Sequence, residues 1–383
     1  MLGFLVLIHE FGHFIAAKKN GIRVEEFGIG FPPKLFGIKK GETEYTVNAL
    51  PLGGFVRLFG EEYQEVDSSK LKAESLKSHD SSLNRAFAFK KPHQKALVIA
   101  AGVVINLLFG VVVMYSLLMT QNFKSDPLPL LFPHKFTFGV QEGRVMATRL
   151  VKGSPAEKAG MRPEDIISSY SLSEGNITKL ISAEQLIALI KESPDKKVFL
   201  ETVNVKNGVT KKITVTPRYN KELKRAIIGV NLIDAIVISY NSPAEKVFAG
   251  FLHSYNVMEY NFAAVGQLIG ISIKEKNASP VSGAVSGPIG IFSVVQDMVK
   301  TSGTQLARNI LNLMALLSLS LGIMNILPFP ALDGGRMVFV VYEWITNKQV
   351  NKKVESITNI AGFVFLMGIA LIVTINDILR MIK

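Results

Sequence analysis

The sequence predicts an α-helical polytopic membrane protein of about four transmembrane helices, with an α+β domain inserted between the second and the third. Three observations carry this. Of 383 residues, 48% are hydrophobic and only 19% charged, where a soluble domain carries about 25% charged residues. The apolar residues are bunched: 96–119, 309–332 and 356–376 are uncharged runs, each long enough at about 1.5 Å per residue to cross about 30 Å of hydrocarbon. Two long hydrophilic blocks, 18–95 and 120–308, separate them. The hydrophobic content excludes a disordered chain. The absence of cysteine removes disulfide frameworks, Cys-ligated zinc and thiol catalysis together. A net charge of +12 invites a nucleic-acid reading. However, Lys18, Lys19, Lys90, Lys91 and Lys95 flank apolar segments, where orientation and anionic lipid account for them. The expected large partner is the lipid bilayer, not nucleic acid.

In chain order, 1–17 is a first transmembrane helix interrupted by His9, Glu10 and His13. It has no basic stretch before its apolar residues, so it does not read as a cleaved signal peptide. Residues 18–95 form a cytoplasmic loop and 96–119 the second span. Residues 120–240 form an extracytoplasmic region, and 241–308 an amphipathic helix with a membrane-proximal segment. Within the latter, 247–273 carries His253 and Glu259. A carboxylate in mid-membrane is costly, so this stretch suits an interfacial helix better than a span. The third span is 309–335 and the fourth 356–377. Arg336, Lys348, Lys352 and Lys353 mark the short loop between them as cytoplasmic. Four spans then place 120–308 and both termini outside; Arg380 and Lys383 speak against this.

The inserted block has globular patterning over about 140–232. Ser154, Pro155, Ala156 and Glu157 form a capping box with Pro at the first helical position, and Gly160 suits the helix end. Ser182 opens a second helix over 183–191, with Leu186, Leu189 and Ile190 on one face. Residues 198–205 and 213–216 are short strands joined through Asn207 and Gly208, a hairpin signal. Ser242-Pro243-Ala244-Glu245-Lys246 repeats the string at 154–158 and reads as a reused helix start rather than a second domain copy.

Residues 9–13 match H-E-x-x-H. On a helix, positions i and i+4 share a face one turn apart, so His9 and His13 can grip one zinc ion while Glu10 accepts a proton from water. Ionisable groups between Leu2, Phe4, Leu5, Leu7, Ile8 and Phe14 are costly unless they do chemistry. A hydrolytic zinc site needs a third ligand and an open position. Asp333 is the outstanding carboxylate, in the run Asn325 to Gly335, where Pro328 and Pro330 break the helix and Gly334 and Gly335 permit close packing. Irregular backbone at membrane depth is tolerated only where it lines a cavity or is buried in protein.

These residues carry a resemblance. H-E-x-x-H in the first helix with N-x-x-P-x-P-x-L-D-G-G in a late one resembles the site-2 protease family of intramembrane zinc metalloproteases, most closely its bacterial RseP-type branch. The string 153–161 followed by Asp165, Ile166 and Ile167 resembles the PDZ domains of bacterial proteases, which bind extended peptide as an added strand. Phe27-Gly28-Ile29-Gly30 and Pro51-Leu52-Gly53-Gly54-Phe55 resemble that branch's membrane-associated β-hairpin. Ala101, Gly102 and Asn106 resemble its second helix, and 286–290 its segment before the third span. Val103 departs from the Pro usual there. The resemblance implies His9, His13 and Asp333 as Zn2+ ligands and Glu10 as general base. Asn325 would hold the substrate carbonyl or oxyanion, and Gly53 and Gly54 lie where the hairpin offers a strand edge to substrate. It further implies a multi-pass protein of the bacterial inner membrane with its active site near the cytoplasmic side. Its substrates would be single-span membrane proteins, of anti-sigma-factor or signal-peptide-remnant type, with a trimmed substrate end or peptide ligand at the PDZ domain. Two other readings stay open on residues alone: a catalytically silent PDZ scaffold and an intramembrane metal transporter. His79, His93, His134 and His253 lie in polar or mixed stretches with no partner at metal spacing and receive no role. Trp344 and Tyr342 read as interface aromatics.

Overall fold

In the computed structural model the described residues are 1–61, 83–172, 177–204, 209–221, 223–277, 279–284, 287–301 and 303–382. The expected turn at Asn207 and Gly208, His79 and Ser286 fall outside them. The chain divides into two compact units, 1–112 with 313–383, and 113–312.

The first unit opens with helix α1 (Leu2–Lys19), followed by strands β1 (Val24–Lys40) and β2 (Thr43–Leu58). The two long strands fold back on themselves, so that residues 26–29 lie between two parts of β2. Gly28 faces Phe55 on one side and Thr46 on the other, while Ile38 pairs with Tyr45 farther out. Gly30 takes a positive φ of 81°, and a Cβ there would lie 2.7 Å from the Leu50 carbonyl, so the fold-back requires glycine. The hairpin turn is pinned from outside itself: the Glu42 carboxylate receives Lys18 Nζ and Arg85 Nη1, each at 2.7 Å. These two cations hold it down at about 2. At the base, Ala17, Ile22, Val24, Leu58 and Val98 form a small buried core. Farther out Leu35, Phe36 and Ile38 stand exposed.

Helix α2 (Pro92–Thr120) follows two 3-10 turns, at Leu83–Arg85 and Phe87–Phe89. It runs across the boundary between the units. The second unit is built on an antiparallel sheet. Its strands are β3 (Leu128–Pro129), β4 (Val140–Leu150), β5 (Asp165–Ser171), β6 (Thr178–Lys179), β7 (Val198–Asn204) and β8 (Thr210–Val215). A small hairpin of β9 (Arg218–Asn220) and β10 (Arg225–Ile227) precedes β11 (Val230–Ser239). The order is β3-β11-β4-β5-β7-β8, with β6 beside β5. One-turn helix α3 (Pro155–Lys158) and helix α4 (Ala183–Glu192) close the core, in which Leu186 and Ile190 meet Val145, Ile167 and Leu200. Ser182 caps α4 as expected, accepting Gln185 N–H. The box at α3 forms only by half: Ser154 Oγ accepts Glu157 N–H, but the Glu157 carboxylate takes the Gly153 N–H instead of its own cap's. The reciprocal box forms at Ser242, which opens α5 (Pro243–Glu275).

Helix α5 packs its first half through a buried polar cluster: Tyr240 Oη lies 3.2 Å from His253 Nδ1 and 3.2 Å from Asn256 Nδ2. Burial without a counter-charge pushes His253 down to about 4. Helices α6 (Ser279–Ala284) and α7 (Pro288–Thr301) precede α8 (Leu306–Ile326), which crosses into the first unit's residues. The unit ends with α9 (Asp333–Thr346) and α10 (Lys352–Ile382).

Among the described residues three helices are long and apolar enough to cross a membrane: Pro92–Thr120, Leu306–Ile326 and Lys352–Leu379. They correspond to the second, third and fourth expected spans. Helix α1, with Glu10, Lys18 and Lys19 in its 18 residues, does not meet that criterion. The third segment differs from the single helix expected over 309–335. It stops at Ile326, before Pro328 and Pro330, and a new helix begins at Asp333. The chain is thus a mixed helix-and-sheet membrane protein.

Candidate metal centre

The centre assembles within the first unit from three elements. Helix α1 contributes His9 and His13, both buried, at 6% and 8% exposure. They share a face because they are four residues apart, and the rings meet edge to face with centroids 4.7 Å apart. Helix α2 supplies the wall behind them. A Cβ at Gly102 would stand 2.4 Å from His13 Nε2 and 2.8 Å from His9 Cε1, and one at Gly12 only 2.4 Å from the Ala101 carbonyl oxygen. Two glycines therefore let α1 and α2 touch backbone to ring and backbone to backbone. Asp333 heads α9. Added Cβ atoms at Gly334 and Gly335 would fall 2.2 and 2.3 Å from the carbonyl oxygens of Leu327 and Phe329. The Gly-Gly pair thus lets the Pro-broken segment fold tightly against the start of α9 and presents the carboxylate to the histidines.

Asp333 Oδ2 lies 2.9 Å from His9 Nε2 and 3.3 Å from His13 Nε2, and the two ring nitrogens are 3.1 Å apart. Ligands at about 2.0–2.1 Å around a tetrahedral zinc stand about 3.4 Å from one another, close to this spacing. His13 Nδ1 is 2.8 Å from the Val98 carbonyl oxygen. A carbonyl only accepts, so Nδ1 carries the hydrogen and Nε2 turns a lone pair towards the carboxylate. Asp333 Oδ2 is buried and accepts no hydrogen bond of proper geometry. Lone pairs this close repel unless a cation sits among them, so the donor set suits a zinc ion.

Glu10 follows His9 and points to the same region: among the described residues, His9, Glu10 and His13 are the group whose ligand atoms all lie within 4.8 Å. Its Oε2 accepts Val56 N–H at 3.1 Å, so β2 orients it. Gly53 and Gly54 are where β2 passes α1: Cβ atoms there would meet Val6 at 3.0 Å and Leu7 at 2.9 Å. Glu10, His13, Asp333 and Arg336 line a cavity of about 90 Å³, room for about three waters at liquid density. Glu61, Phe87, Ile99 and Arg336 belong equally to the wall of a larger cavity of about 490 Å³. Arg336 Nη2 reaches Glu61 Oε1 at 2.5 Å in that shared wall. Lys95 and Glu343 also line the larger cavity, with Lys95 Nζ held 2.9 Å from Glu343 Oε2.

Asn325 sits near the end of α8, half-buried, and is not among the residues lining the small cavity. His93 is exposed, His134 packs on Phe136 and Tyr260, and His253 is buried against Tyr240; none joins the cluster. Sequence reasoning gave no place in the site to Val98, Asn106, Arg336, Glu61, Lys95 or Glu343: Lys95 and Arg336 served there only as basic flanks, and Asn106 only in the likeness of the second helix. They come from distant parts of the chain, and no spacing rule joins them to the histidines.

A model of peptidase family M50 matches residues 1–369. A Clostridium perfringens protein provisionally named a zinc metalloprotease is 31% identical over 379 residues, covering 98% of this chain and 95% of that protein. The regulator of sigma-W protease RasP of Bacillus subtilis is 28% identical over 451 residues, covering 100% and 97%. Zinc metalloprotease RasP of Bacillus licheniformis is 29% identical over 447 residues, also covering 100% and 97%. A solved PDZ domain from Listeria monocytogenes matches 26% of this chain and 93% of its own, at 18% identity and a TM-score of 0.19. With a family match over nearly its whole length and relatives covered almost end to end, the chain belongs to peptidase family M50, the site-2 proteases, and is an intramembrane zinc metalloprotease.

Proposed function

We propose that His9, His13 and Asp333 hold the zinc and that Glu10 is the general base of an enzyme that hydrolyses peptide bonds inside the transmembrane segments of single-span membrane proteins. The observation that carries this is the convergence of Nε2, Nε2 and Oδ2 to within 3.3 Å beside Glu10. Zinc bound there supplies a Lewis acid that makes water acidic near neutral pH and polarises the scissile carbonyl. Glu10 takes a proton from the attacking water and passes it to the departing amine as the C–N bond breaks. Val56 N–H keeps Glu10 in place, and the cavity that Arg336 and Glu61 border admits the water. Asn325 is the candidate to hold the carbonyl oxygen.

A substrate helix must unwind first, because its carbonyls are otherwise hydrogen-bonded. The edge of β2 suits the extended segment that results. Residues of one parity point their N–H and C=O groups to the same edge; Glu10 takes that of Val56, which leaves Gly54 for substrate. Anti-sigma factors and signal-peptide remnants are the substrate types in view.

In this reading the second unit carries a PDZ domain over about 140–232. Leu130 N–H donates to the Asp234 carbonyl at 2.7 Å, so even-numbered residues of β11 face the β3 side. β3 pairs with β11 only at Ala235 and Ile236. Among the described residues the groups of Val230 and Leu232 on that edge have no strand beside them, the place for a trimmed substrate end. With α1 as a fourth span, basic flanks put the metal centre near the cytoplasmic face of the bacterial inner membrane and 120–308 outside.

The test is cleavage of a tagged membrane substrate by wild type and Glu10→Gln with zinc measured in both. Loss of cleavage with zinc retained is expected; equal cleavage overturns the reading.

A further inference from the structure

Asn106 is fully buried, at 0% exposure, and the reaction described above does not use it. It lies one turn beyond Gly102 on α2, on the same face. Its backbone carbonyl accepts Ser318 Oγ–H at 2.8 Å, which ties α2 to α8 at this level. Its carboxamide Nδ2 lies 3.2 Å from His9 Nδ1, while Oδ1 is buried with no hydrogen-bond partner. The two ends of a side-chain amide exchange places by a half-turn, and chemistry decides which faces the imidazole.

His9 turns Nε2 towards Asp333 Oδ2 at 2.9 Å and His13 Nε2 at 3.1 Å. To serve as a zinc ligand, Nε2 must offer a lone pair. A neutral imidazole carries one hydrogen, which is then on Nδ1, and Nδ1 can only donate. An amide N–H2 cannot accept that hydrogen; an amide oxygen can. We infer that Asn106 presents Oδ1 to His9 Nδ1–H and is the positioning residue that fixes the tautomer and ring plane of this ligand. The inference rests on His9 being a ligand. The pairing completes a symmetry in the site: His13 donates to the Val98 carbonyl at 2.8 Å, and Asn106 does for His9 what that carbonyl does for His13. Val98's acceptor is backbone and no substitution removes it; that of His9 is a side chain and can be tested.

Partners of this kind are worth about 10–100-fold in metal affinity. The experiment measures zinc affinity of the purified full-length protein in detergent by competition with a chelator, for wild type, Asn106→Asp, Asn106→Leu and His9→Ala. Asn106→Leu, which has no acceptor, is expected to bind zinc about 10–100-fold more weakly. Asn106→Asp, an acceptor that cannot donate, is expected to keep wild-type affinity to within about threefold or exceed it, because metal-bound histidines pair with carboxylates elsewhere. A merely space-filling role would make Asp the worse of the two. Asn106→Asp losing as much affinity as Asn106→Leu overturns the inference, as does Asn106→Leu binding like wild type while His9→Ala loses zinc. Zinc held at full affinity by His9→Ala overturns the ligand reading itself and the inference with it. Should Asn106→Leu fail to fold, Asn106→Ala, which also lacks an acceptor, takes its place with the same expectation.

Discussion

Gly102→Ala tests the packing on which the metal centre depends. The new methyl carbon would stand 2.4 Å from His13 Nε2, 2.7 Å from its Cε1 and 2.8 Å from His9 Cε1, where ordinary contact begins at 3.4 Å. Relief therefore needs a movement of about 1 Å, an overpacking of the kind that costs about 1–3 kcal/mol. The rings cannot swing aside cheaply. His13 is held by its bond to the Val98 carbonyl, one turn away on the helix that carries the methyl. Helix α1 as a body is held by the Glu10–Val56 bond and by the close passage of Gly53 and Gly54. The shift thus falls on the ligand set. A 1 Å misplacement of reacting groups costs about a hundredfold, about 2.7 kcal/mol at the transition state. The assay is kcat/KM on a fluorogenic membrane substrate in proteoliposomes, with zinc content measured alongside. Gly368→Ala is the control: nothing lies within 4 Å of its added Cβ, so activity should stay within about twofold, as for exposed substitutions generally. Wild-type kcat/KM and zinc content in Gly102→Ala would refute this account of the site.

Glu10→Gln should lower cleavage by about 10²–10⁴-fold with zinc retained; loss of zinc together with activity would make Glu10 a ligand instead. His253 is held down to about 4 by burial, so between its ordinary 6.5 and about 4 the unfolded chain binds more protons than the folded one, and stability falls as pH falls through that window. Melting temperatures from pH 7 to 4.5 should drop less steeply in His253→Gln than in wild type, and parallel curves would contradict this. Leu232→Pro removes an N–H from the free edge of β11 without touching its ladder to β4. Anisotropy with a labelled peptide ending in a free carboxylate should show at least about tenfold weaker binding, whereas unchanged binding moves the peptide site elsewhere. Lys95→Met strands the Glu343 carboxylate, for which the penalty is about 3–5 kcal/mol. The double variant with Glu343→Leu should recover most of it in chemical denaturation; a double variant no better than the single would show that the pair is not what matters there.

Much of the centre was legible because its signals are local or strongly biased. His9 and His13 come together through the helical period alone, and Ser182 and Ser242 open helices because a hydroxyl accepts an N–H three residues on. The three long apolar helices need only length and composition. Helix α9 was not legible. Pro328 and Pro330 read as a break within one span over 309–335. Gly334 and Gly335 read as sites of close approach, which they are, to the carbonyls of Leu327 and Phe329. That a separate helix starts at Asp333 itself had no local signal. The half-formed box at Ser154 failed for a related reason: the Glu157 carboxylate found the Gly153 N–H instead.

By itself, then, the sequence determined the membrane class, the exclusion of thiol chemistry and the His, Glu and Asp from which a zinc site can be built. Those follow from composition and from periodicities a few residues long. Only the tertiary structure decided that Asp333 meets the two histidines within 3.3 Å, that Val98 and Asn106 hold their far nitrogens and that Val56 holds Glu10. Each of these is a contact between residues tens to hundreds of positions apart. It exists because glycines at 12, 102, 334 and 335 let backbones approach where any side chain would keep them apart.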